Sequence, residues 1–159
     1  MTSLIDLYIR RFKEVHYKTP WYGKGIKASF QDYVPNILKD NSLHAKSIQD
    51  LGGHIEQWRQ FALAKLRGDV SFDIELNTAH DWPDTSDMNW EEMMKQLDKS
   101  LDELCTCLKE HDDSLFARQV PGKSYNFRFL LDGVIYHDIY HLGQMNMIYS
   151  ILNRKEEKP

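Results

Sequence analysis

The sequence predicts an all-α protein, a four-helix bundle with crossover connections. Four segments repeat apolar residues at intervals of three and four, which is the period of a helix with one buried face, and no segment has the convincing alternation of a strand. The 159 residues are enough for one ordinary core but too few for two comfortable ones. We therefore expect a single helical domain over residues 1–159.

The first helix is predicted near the amino terminus. It ends before Thr19-Pro20, because the residue preceding a proline is pushed out of the helical conformation. A long connection then runs from Thr19 to Asn41, and long connections allow helices that follow one another in the chain to be non-neighbours in the bundle. The apolar face of the first helix consists of Leu4, Ile5, Tyr8, Phe12 and Val15.

The second helix is predicted from about Ser42 to Leu66 and is followed by Gly68, a residue type that often ends helices. Ser42 or the residue before it can cap the start. A glycine pair, Gly52-Gly53, interrupts the helix at a cost of about 1 kcal/mol for each glycine relative to alanine, so we expect close packing against a neighbour there. The apolar stripe consists of Ile48, Leu51, His54 or Ile55, Trp58, Phe61 or Ala62, and Leu66.

The third and fourth helices follow a second long connection, Asp69–Met88, and we expect both long connections to lie over the ends of the bundle. The third helix begins near Trp90 and has the nearly heptad spacing of bundle helices. The fourth starts after the Pro-Gly pair at 121–122, with Ser124 as a candidate cap. The apolar positions are Trp90, Met93, Met94, Leu97, Leu101, Leu104 and Leu108 in the third helix, and Phe127, Leu130, Val134, His137, His141, Met145, Ile148 and Leu152 in the fourth.

Composition and charge exclude several function classes. Lys and Arg number 20 against 24 Asp and Glu, for a formal charge of -4, and no basic block stands out except the short tail RKEEKP. Nucleic acid is therefore not an expected partner. The amino terminus lacks the apolar core and cleavage site of an export signal, and no stretch approaches a membrane span. Cys105 and Cys107 are too few for a disulfide framework, and together with the lack of an export signal this predicts a cytoplasmic protein. The lack of a membrane span predicts that the protein has no membrane partner.

Two histidines, His137 and His141, occupy core positions in the middle of the fourth helix, within the segment HDIYHLGQM. Residues four apart on a helix lie about 6 Å apart on one face, so the pair can hold one metal ion. A site of this kind usually takes three protein ligands, and the third should come from a similar depth in the bundle. His54 is both central in its helix and on its apolar stripe, which makes it the candidate third ligand. The remaining histidines lie at helix ends or in a loop: His16, His44, His80 and His111.

The alternative is that these histidines are hydrogen-bonded core residues. Three buried imidazoles without a common partner would leave several nitrogens unsatisfied, at about 1–3 kcal/mol each, and this cost favours the metal. A zinc-protease motif with Asp138 as the base is disfavoured, because aspartate is shorter than the glutamate of HExxH and the downstream residues do not match the longer motif. Asp138 is either an outer-shell hydrogen-bond partner or a helix-surface charge. Gln144 is the nearest candidate for a fourth contact, in the outer shell or to substrate.

Over essentially its whole length the chain resembles the DinB/YfiT-like superfamily of metal-binding four-helix bundles. KSIQDLGGHIEQW is similar to the second-helix segment of that superfamily with its single histidine, and HDIYHLGQM closely resembles the fourth-helix HxxxH-x-GQ signature. PWYGKGI resembles a stretch common in the first connection. The resemblance implies a crossover bundle, often a homodimer, in which His54, His137 and His141 hold one divalent ion, such as zinc, nickel, iron or manganese.

The resemblance fixes the site better than the chemistry. Members with assigned activities include thiol-dependent transferases, in which a thiol such as bacillithiol or mycothiol attacks a small electrophile, and maleylpyruvate isomerase-like enzymes. We therefore expect a metal-dependent enzyme with a small-molecule substrate, such as a low-molecular-weight-thiol S-transferase or a hydrolase. The alternatives are a non-enzymatic metal-binding stress-response, structural or sensor protein, and a dimerisation module without metal. Aromatic loops carrying Trp21, Trp82 and Trp90 are expected beside an open coordination position.

Overall fold

The protein is described by a computed structural model over residues 3–156, and within this range it consists of α-helices and short 3₁₀ turns with no strand. The helices are α1 (Leu4–Tyr17), α2 (Ile26–Asp32), α3 (Ile48–Leu66), α4 (Trp90–Leu108) and α5 (Phe127–Glu156). The 3₁₀ turns lie at Pro35–Ile37 and Asp113–Ala117. The all-α prediction is confirmed. None of the described helices is long and apolar enough to cross a membrane.

The four long helices form a bundle with a crossed chain path. Helix α3 packs against α4 and α5, and α1 packs against the same two helices. Since α1 and α3 share both neighbours, they occupy opposite corners of the bundle, as do α4 and α5. The chain therefore crosses the bundle after α1 and again after α4, as the crossover prediction requires.

The start of α3 differs from the prediction at Ser42. The helix begins at Ile48, because Ser47 and Asp50 form a reciprocal cap. The Ser47 hydroxyl oxygen accepts a hydrogen bond from the backbone N–H of Asp50 at 3.1 Å, and the Asp50 carboxylate accepts one from the backbone N–H of Ser47 at 3.0 Å. Upstream, His44 has a left-handed φ of 54°, which a helix cannot contain.

Two further features were not predicted, the cap of α5 and the short helix α2. Helix α5 is capped by Asn126 rather than Ser124, since the Asn126 side-chain oxygen accepts from the backbone N–H of Phe129 at 3.0 Å. The short helix α2 lies inside the first connection and buries Ile26 and Phe30 against the bundle. Its seven residues are too few to carry a recognisable helical period.

The glycine pair in α3 packs as closely as predicted. A Cβ atom built on Gly52 would lie 3.2 Å from the Met93 sulfur in α4, and one on Gly53 would lie 2.6 Å from the Thr85 methyl carbon. The second distance is shorter than any ordinary carbon–carbon contact. The second connection therefore packs directly on α3 at Gly53, the residue before His54. It was predicted to lie over the end of the bundle, but it is not confined there.

A buried arginine joins all four long helices. Arg59 of α3 has no exposed surface. Its Nε and Nη2 donate to one carboxylate oxygen of Asp138 in α5 at 3.0 and 2.7 Å. Its Nη1 donates to the carbonyl oxygen of Leu97 in α4 at 3.0 Å, and Nη2 also lies 3.2 Å from Nδ1 of His16 in α1. This role of Arg59 was not predicted from the sequence.

His16 is held neutral by its two partners. Its Nε2 lies 2.8 Å from a carboxylate oxygen of Asp98 and must donate to it, while Nδ1 accepts from Arg59. A second ring proton would point at the guanidinium. Burial, with the positive charge of Arg59 adding to it, accordingly lowers the pKa of His16 to about 4.

We expect His16 to make folding stability depend on pH. The pKa falls from 6.5 in the unfolded chain to about 4 in the folded one, so the unfolded state binds the extra proton between these values. Stability is therefore fully present above pH 6.5 and is lost as the pH falls towards 4, with a slope approaching about 1.4 kcal/mol per pH unit. The measurement is urea unfolding at a series of pH values. His16→Gln should flatten the dependence.

The matched control is His80→Gln, the same change at an exposed histidine of the second connection. It should leave the pH dependence of the wild-type protein unchanged. Equal slopes for the wild type and His16→Gln would show that the Arg59 contact does not hold His16 neutral.

Candidate metal centre

Three histidines converge between α3 and α5. His54 comes from α3, and His137 and His141 come from successive turns of α5. The ring centroid of His54 lies 4.7 Å from the ring centroid of His137 and 4.7 Å from that of His141. The centroids of His137 and His141 are 4.3 Å apart. One nitrogen from each ring lies within 4.8 Å of the other two. The predicted residues are therefore brought together, and their cluster could hold a divalent metal ion.

The ring of His54 is oriented by Asp81 in the second connection. Its Nδ1 lies 2.7 Å from the backbone carbonyl oxygen of Asp81. Because a carbonyl only accepts hydrogen bonds, the ring proton is on Nδ1 and the lone pair is on Nε2. That Nε2 points into the cluster, 2.9 Å from Nε2 of His137. Burial lowers the pKa of His54, although the hydrogen bond to Asp81 acts in the opposite direction.

His141 has the same arrangement with a different acceptor. Its Nδ1 lies 2.6 Å from the side-chain carbonyl oxygen of Gln144, so its Nε2 also keeps a free lone pair. Burial, reinforced by the charge of neighbouring His137, lowers the pKa of His141 to about 4. A neutral imidazole is the form that ligates metals. In this geometry Gln144 orients the His141 ring from the side away from the cluster, and its oxygen does not point into the cluster.

His137 is the one ring whose outer nitrogen has no partner. With Nε2 of His54 carrying a lone pair, His137 must donate to it from its own Nε2, which leaves the buried Nδ1 of His137 unbonded. One carboxylate oxygen of Asp138, also buried and unbonded, lies 4.0 Å from that Nδ1. A cation on Nε2 would place the ring proton on Nδ1, facing this carboxylate. The donor set therefore fits a divalent ion better than it fits protons alone.

Asp138 is not a surface charge, because its exposed fraction is 1%. Of the two roles left open by the sequence, its burial excludes the helix-surface charge. Burial alone would raise the pKa of its carboxyl, but the charge and hydrogen bonds of Arg59 outweigh burial and leave that pKa lowered. The carboxylate is thus ionised beside His137 and fixed from the opposite side by Arg59.

Two tryptophans and Asp81 enclose the cluster. Trp82 stacks on the His54 ring at a centroid distance of 3.9 Å and an interplanar angle of 6°. The indole Nε1 of Trp58 donates to the Asp81 carboxylate at 3.0 Å, and its ring lies 5.6 Å from that of His137. Asp81 is buried, although it belongs to an acidic connection. No spacing or motif distinguishes Asp81 from the neighbouring acidic residues.

The other aromatic residues expected at the site lie elsewhere. Trp21 is fully exposed, and Trp90 stacks on Phe30 of α2 at 4.3 Å. Trp82 alone of the three predicted tryptophans contacts the histidines. Trp58, assigned to the core stripe of α3, takes the remaining place beside the cluster.

Helical bundles that carry a cluster of this kind between facing helices form a recognised class of metal-binding proteins. The sequence profile of the DinB superfamily matches residues 27–145, which is most of the chain, so the protein belongs to that superfamily. The matched range includes all three histidines. Searches of curated proteins and of solved structures give no significant match.

We expect Gln144→Leu to weaken the binding of a divalent ion by roughly 10- to 100-fold, the usual loss when an outer-shell partner of a ligating histidine is removed. The leucine cannot accept the proton on Nδ1 of His141. Gln144→Glu, which keeps an acceptor, should bind at least as tightly as the wild type. Competition with a chelating dye for zinc would measure these affinities.

The control is Gln60→Leu, the same substitution at a glutamine of α3 that donates to Glu56 and not to the cluster. Its metal affinity should equal that of the wild type. An unchanged affinity in Gln144→Leu would show that this hydrogen bond does not orient a ligand.

Proposed function

We propose that His54, His137 and His141 bind one divalent metal ion, and that the protein is a metal-dependent enzyme that transfers a low-molecular-weight thiol to a small electrophile. The observation that carries the proposal is the convergence of one nitrogen from each imidazole within 4.8 Å. Hydrogen bonds from Nδ1 of His54 and His141 leave their Nε2 atoms free for a ligand.

The three ligands would be neutral imidazoles, so the ion would keep its full charge. When bound, a divalent ion supplies positive charge that favours deprotonation of a thiol beside it. The chain's own residues hold the site rigid for this chemistry. Trp82 stacks on the His54 ring and fixes its plane. The Arg59–Asp138 ion pair joins α3 to α5 next to His137 and so fixes the position of His137 along the bundle.

An apolar cavity adjoins the histidines on one side. It has a volume of about 190 Å³ and includes His137 in its wall. Aromatic and aliphatic side chains form the rest of the wall, which suits a small apolar electrophile better than a polymer or a strongly charged substrate. The wall residues are Trp58, Tyr125, Phe129, Leu130, Gly133 and Val134.

A second cavity, of about 510 Å³, adjoins His141 on the other side. Its wall contains the cationic Lys46, the amide of Gln144 and the hydroxyl-bearing ring of Tyr140. The Lys46 ammonium lies 4.6 Å above the ring of Trp82. Low-molecular-weight thiols commonly carry a carboxylate, so we assign this cavity to the thiol, with Lys46 binding its carboxylate.

The alternative function is a non-enzymatic metal-binding protein, in which the ion mainly joins α3 to α5. The low exposure of His54 and His141, 5% and 7%, favours this alternative. A structural ion has a closed coordination shell, whereas a catalytic ion keeps an exchangeable position. Binding of an external thiol distinguishes the two functions.

Changing His54, His137 or His141 singly to alanine should abolish stoichiometric metal binding and the thermal stabilisation that it brings. A ligand at 100 times its dissociation constant stabilises the folded state by about 2.7 kcal/mol. Metal content would be measured on protein purified without a metal-binding tag, and stability by thermal unfolding with and without zinc. His80→Ala, a change at an exposed histidine outside the cluster, is the control. Wild-type stoichiometry and affinity in all three ligand variants would exclude the site.

A thiol should bind at the metal from the Lys46 side. Protein loaded with cobalt would be titrated with cysteine, bacillithiol and 2-mercaptoethanol, and a thiolate-to-metal charge-transfer band would report binding. Lys46→Met should weaken binding of cysteine and bacillithiol, which carry carboxylates, and leave 2-mercaptoethanol unaffected. A spectrum indifferent to every thiol would favour the non-enzymatic function. Equal losses for all three thiols would exclude a carboxylate contact by Lys46.

A further inference from the structure

Gly133 lies in the wall of the cavity beside His137, and no contact within the chain explains a glycine there. It is an exposed residue inside α5, where only proline is less favourable than glycine. A Cβ atom at this position would find no heavy atom within 4 Å, in contrast to the crowded glycine pair of α3. Packing therefore does not require the glycine, and its effect is to leave the cavity open.

The space that Gly133 leaves open adjoins the His137 ring. The two residues are four apart in α5 and lie on one face of the helix. Because helical side chains lean towards the preceding turn, a side chain at position 133 would extend towards Phe129 and Leu130, which form the next part of the wall. A large residue here would fill the cavity, whereas glycine makes room for a ligand beside His137.

The cavity has the size of one benzene ring with a small substituent. Its volume is about 190 Å³. An engineered apolar cavity of about 150 Å³ in another protein binds benzene, so a single ring fits here and some space remains. That remaining space suits a short substituent directed at His137.

Three aromatic side chains form much of the wall: Trp58, Tyr125 and Phe129. The Trp58 ring is held in place by its hydrogen bond to Asp81 and lies 5.6 Å from the His137 ring. The rings of Tyr125 and Phe129 are 5.0 Å apart with an interplanar angle of 45°. Aromatic rings gain energy from tilted and offset contacts beyond the area that they bury. An aromatic ligand would therefore bind here more tightly than an alkane of similar size.

The wall also favours an uncharged ring. None of the residues that form it is Lys, Arg, Asp or Glu. Burial raises the pKa of Tyr125, so its phenol stays protonated at neutral pH. A charged group on the ring would lose its hydration in this cavity without gaining an opposite charge.

We propose that the cavity beside His137 binds an uncharged, single-ring aromatic group, and that Gly133 sets the size of the group that it accepts. The identification of this group as the ring of the electrophilic substrate rests on the proposed function. Binding of the ring itself requires neither a metal ion nor a thiol. The aromatic site and the proposed function can therefore fail separately.

Methyl NMR of the protein as purified, titrated with fluorobenzene, tests the site directly. The methyl signals of Leu130 and Val134 in the wall should shift along one saturable curve, because a bound aromatic ring alters the local field. Those of Leu104, buried in α4, should not move. Cyclohexane, a ring of similar size without a π system, should bind more weakly. Unshifted Leu130 and Val134 signals, or cyclohexane binding as tightly as fluorobenzene, would overturn the proposal.

Gly133→Leu tests the role of the glycine. The leucine side chain should occupy the space of the ring and lower the affinity for fluorobenzene by about 10-fold or more. The matched control is Gly143→Leu, the same change at the other exposed glycine of α5, where an added Cβ also meets no heavy atom within 4 Å. Gly143 is not part of this wall, so the control should keep the wild-type affinity.

Thermal unfolding checks that both leucine variants fold, and neither midpoint should fall, because leucine favours a helix more than glycine does. Gly133→Ala adds a single carbon and should bind fluorobenzene with an affinity between those of the wild type and Gly133→Leu. It provides the comparison if the leucine variant does not fold. Affinities of the residue 133 variants equal to that of Gly143→Leu would show that Gly133 does not set the size of the ligand.

Discussion

Most of this structure depends on the buried ion pair between Arg59 and Asp138. Each group would be very costly to bury alone, and breaking such a pair typically costs about 3–5 kcal/mol. Its geometry therefore allows little sliding of α3 along α5. Because His54 precedes Arg59 by five residues and His137 adjoins Asp138, the same contact fixes the level at which the histidines meet. The remaining donors of Arg59 extend this restraint to α1 and α4.

The network also sets the electrostatics of the histidine cluster. Arg59 and Asp138 compensate each other, and His16 is kept neutral by donating to Asp98 while accepting from Arg59. The cluster thus lies beside a dipole whose negative end, the free oxygen of Asp138, faces Nδ1 of His137. That orientation favours positive charge at the cluster. It gives Asp138 a function in the bundle core and at the site at once, which explains why a carboxylate is tolerated in an apolar helix.

Sequence patterns predicted the features that depend on the order of residues within a single helix, such as its position in the chain and its buried face. Helix α4 was predicted to begin near Trp90 from its nearly heptad spacing, and the structure shows that Asn89 caps it there. His54 was predicted as the third ligand because a bundle brings helix midpoints together. The start of α3 was missed because Ser42 and Ser47 are equivalent as local signals, and the left-handed turn at His44 has no sequence signature. Arg59 and Asp81 were missed for another reason. Their roles depend on partners 79 and 27 residues away, respectively, which no periodicity relates to them.

Between residues 133 and 153 helix α5 exposes no Lys, Arg, Asp or Glu side chain, unlike α4, and three separate demands account for this. Its inner face supplies core residues such as Leu131 and Val134, and one edge supplies the two histidines with Asp138. An ordinary bundle helix would use its outer face for Lys and Glu, as α4 does with Glu91 and Lys99. Here the outer face carries aromatic residues and glycines, and these residues also form the rims of both cavities beside the histidines. A substitution on this face would therefore alter the walls of the cavities that adjoin the histidines.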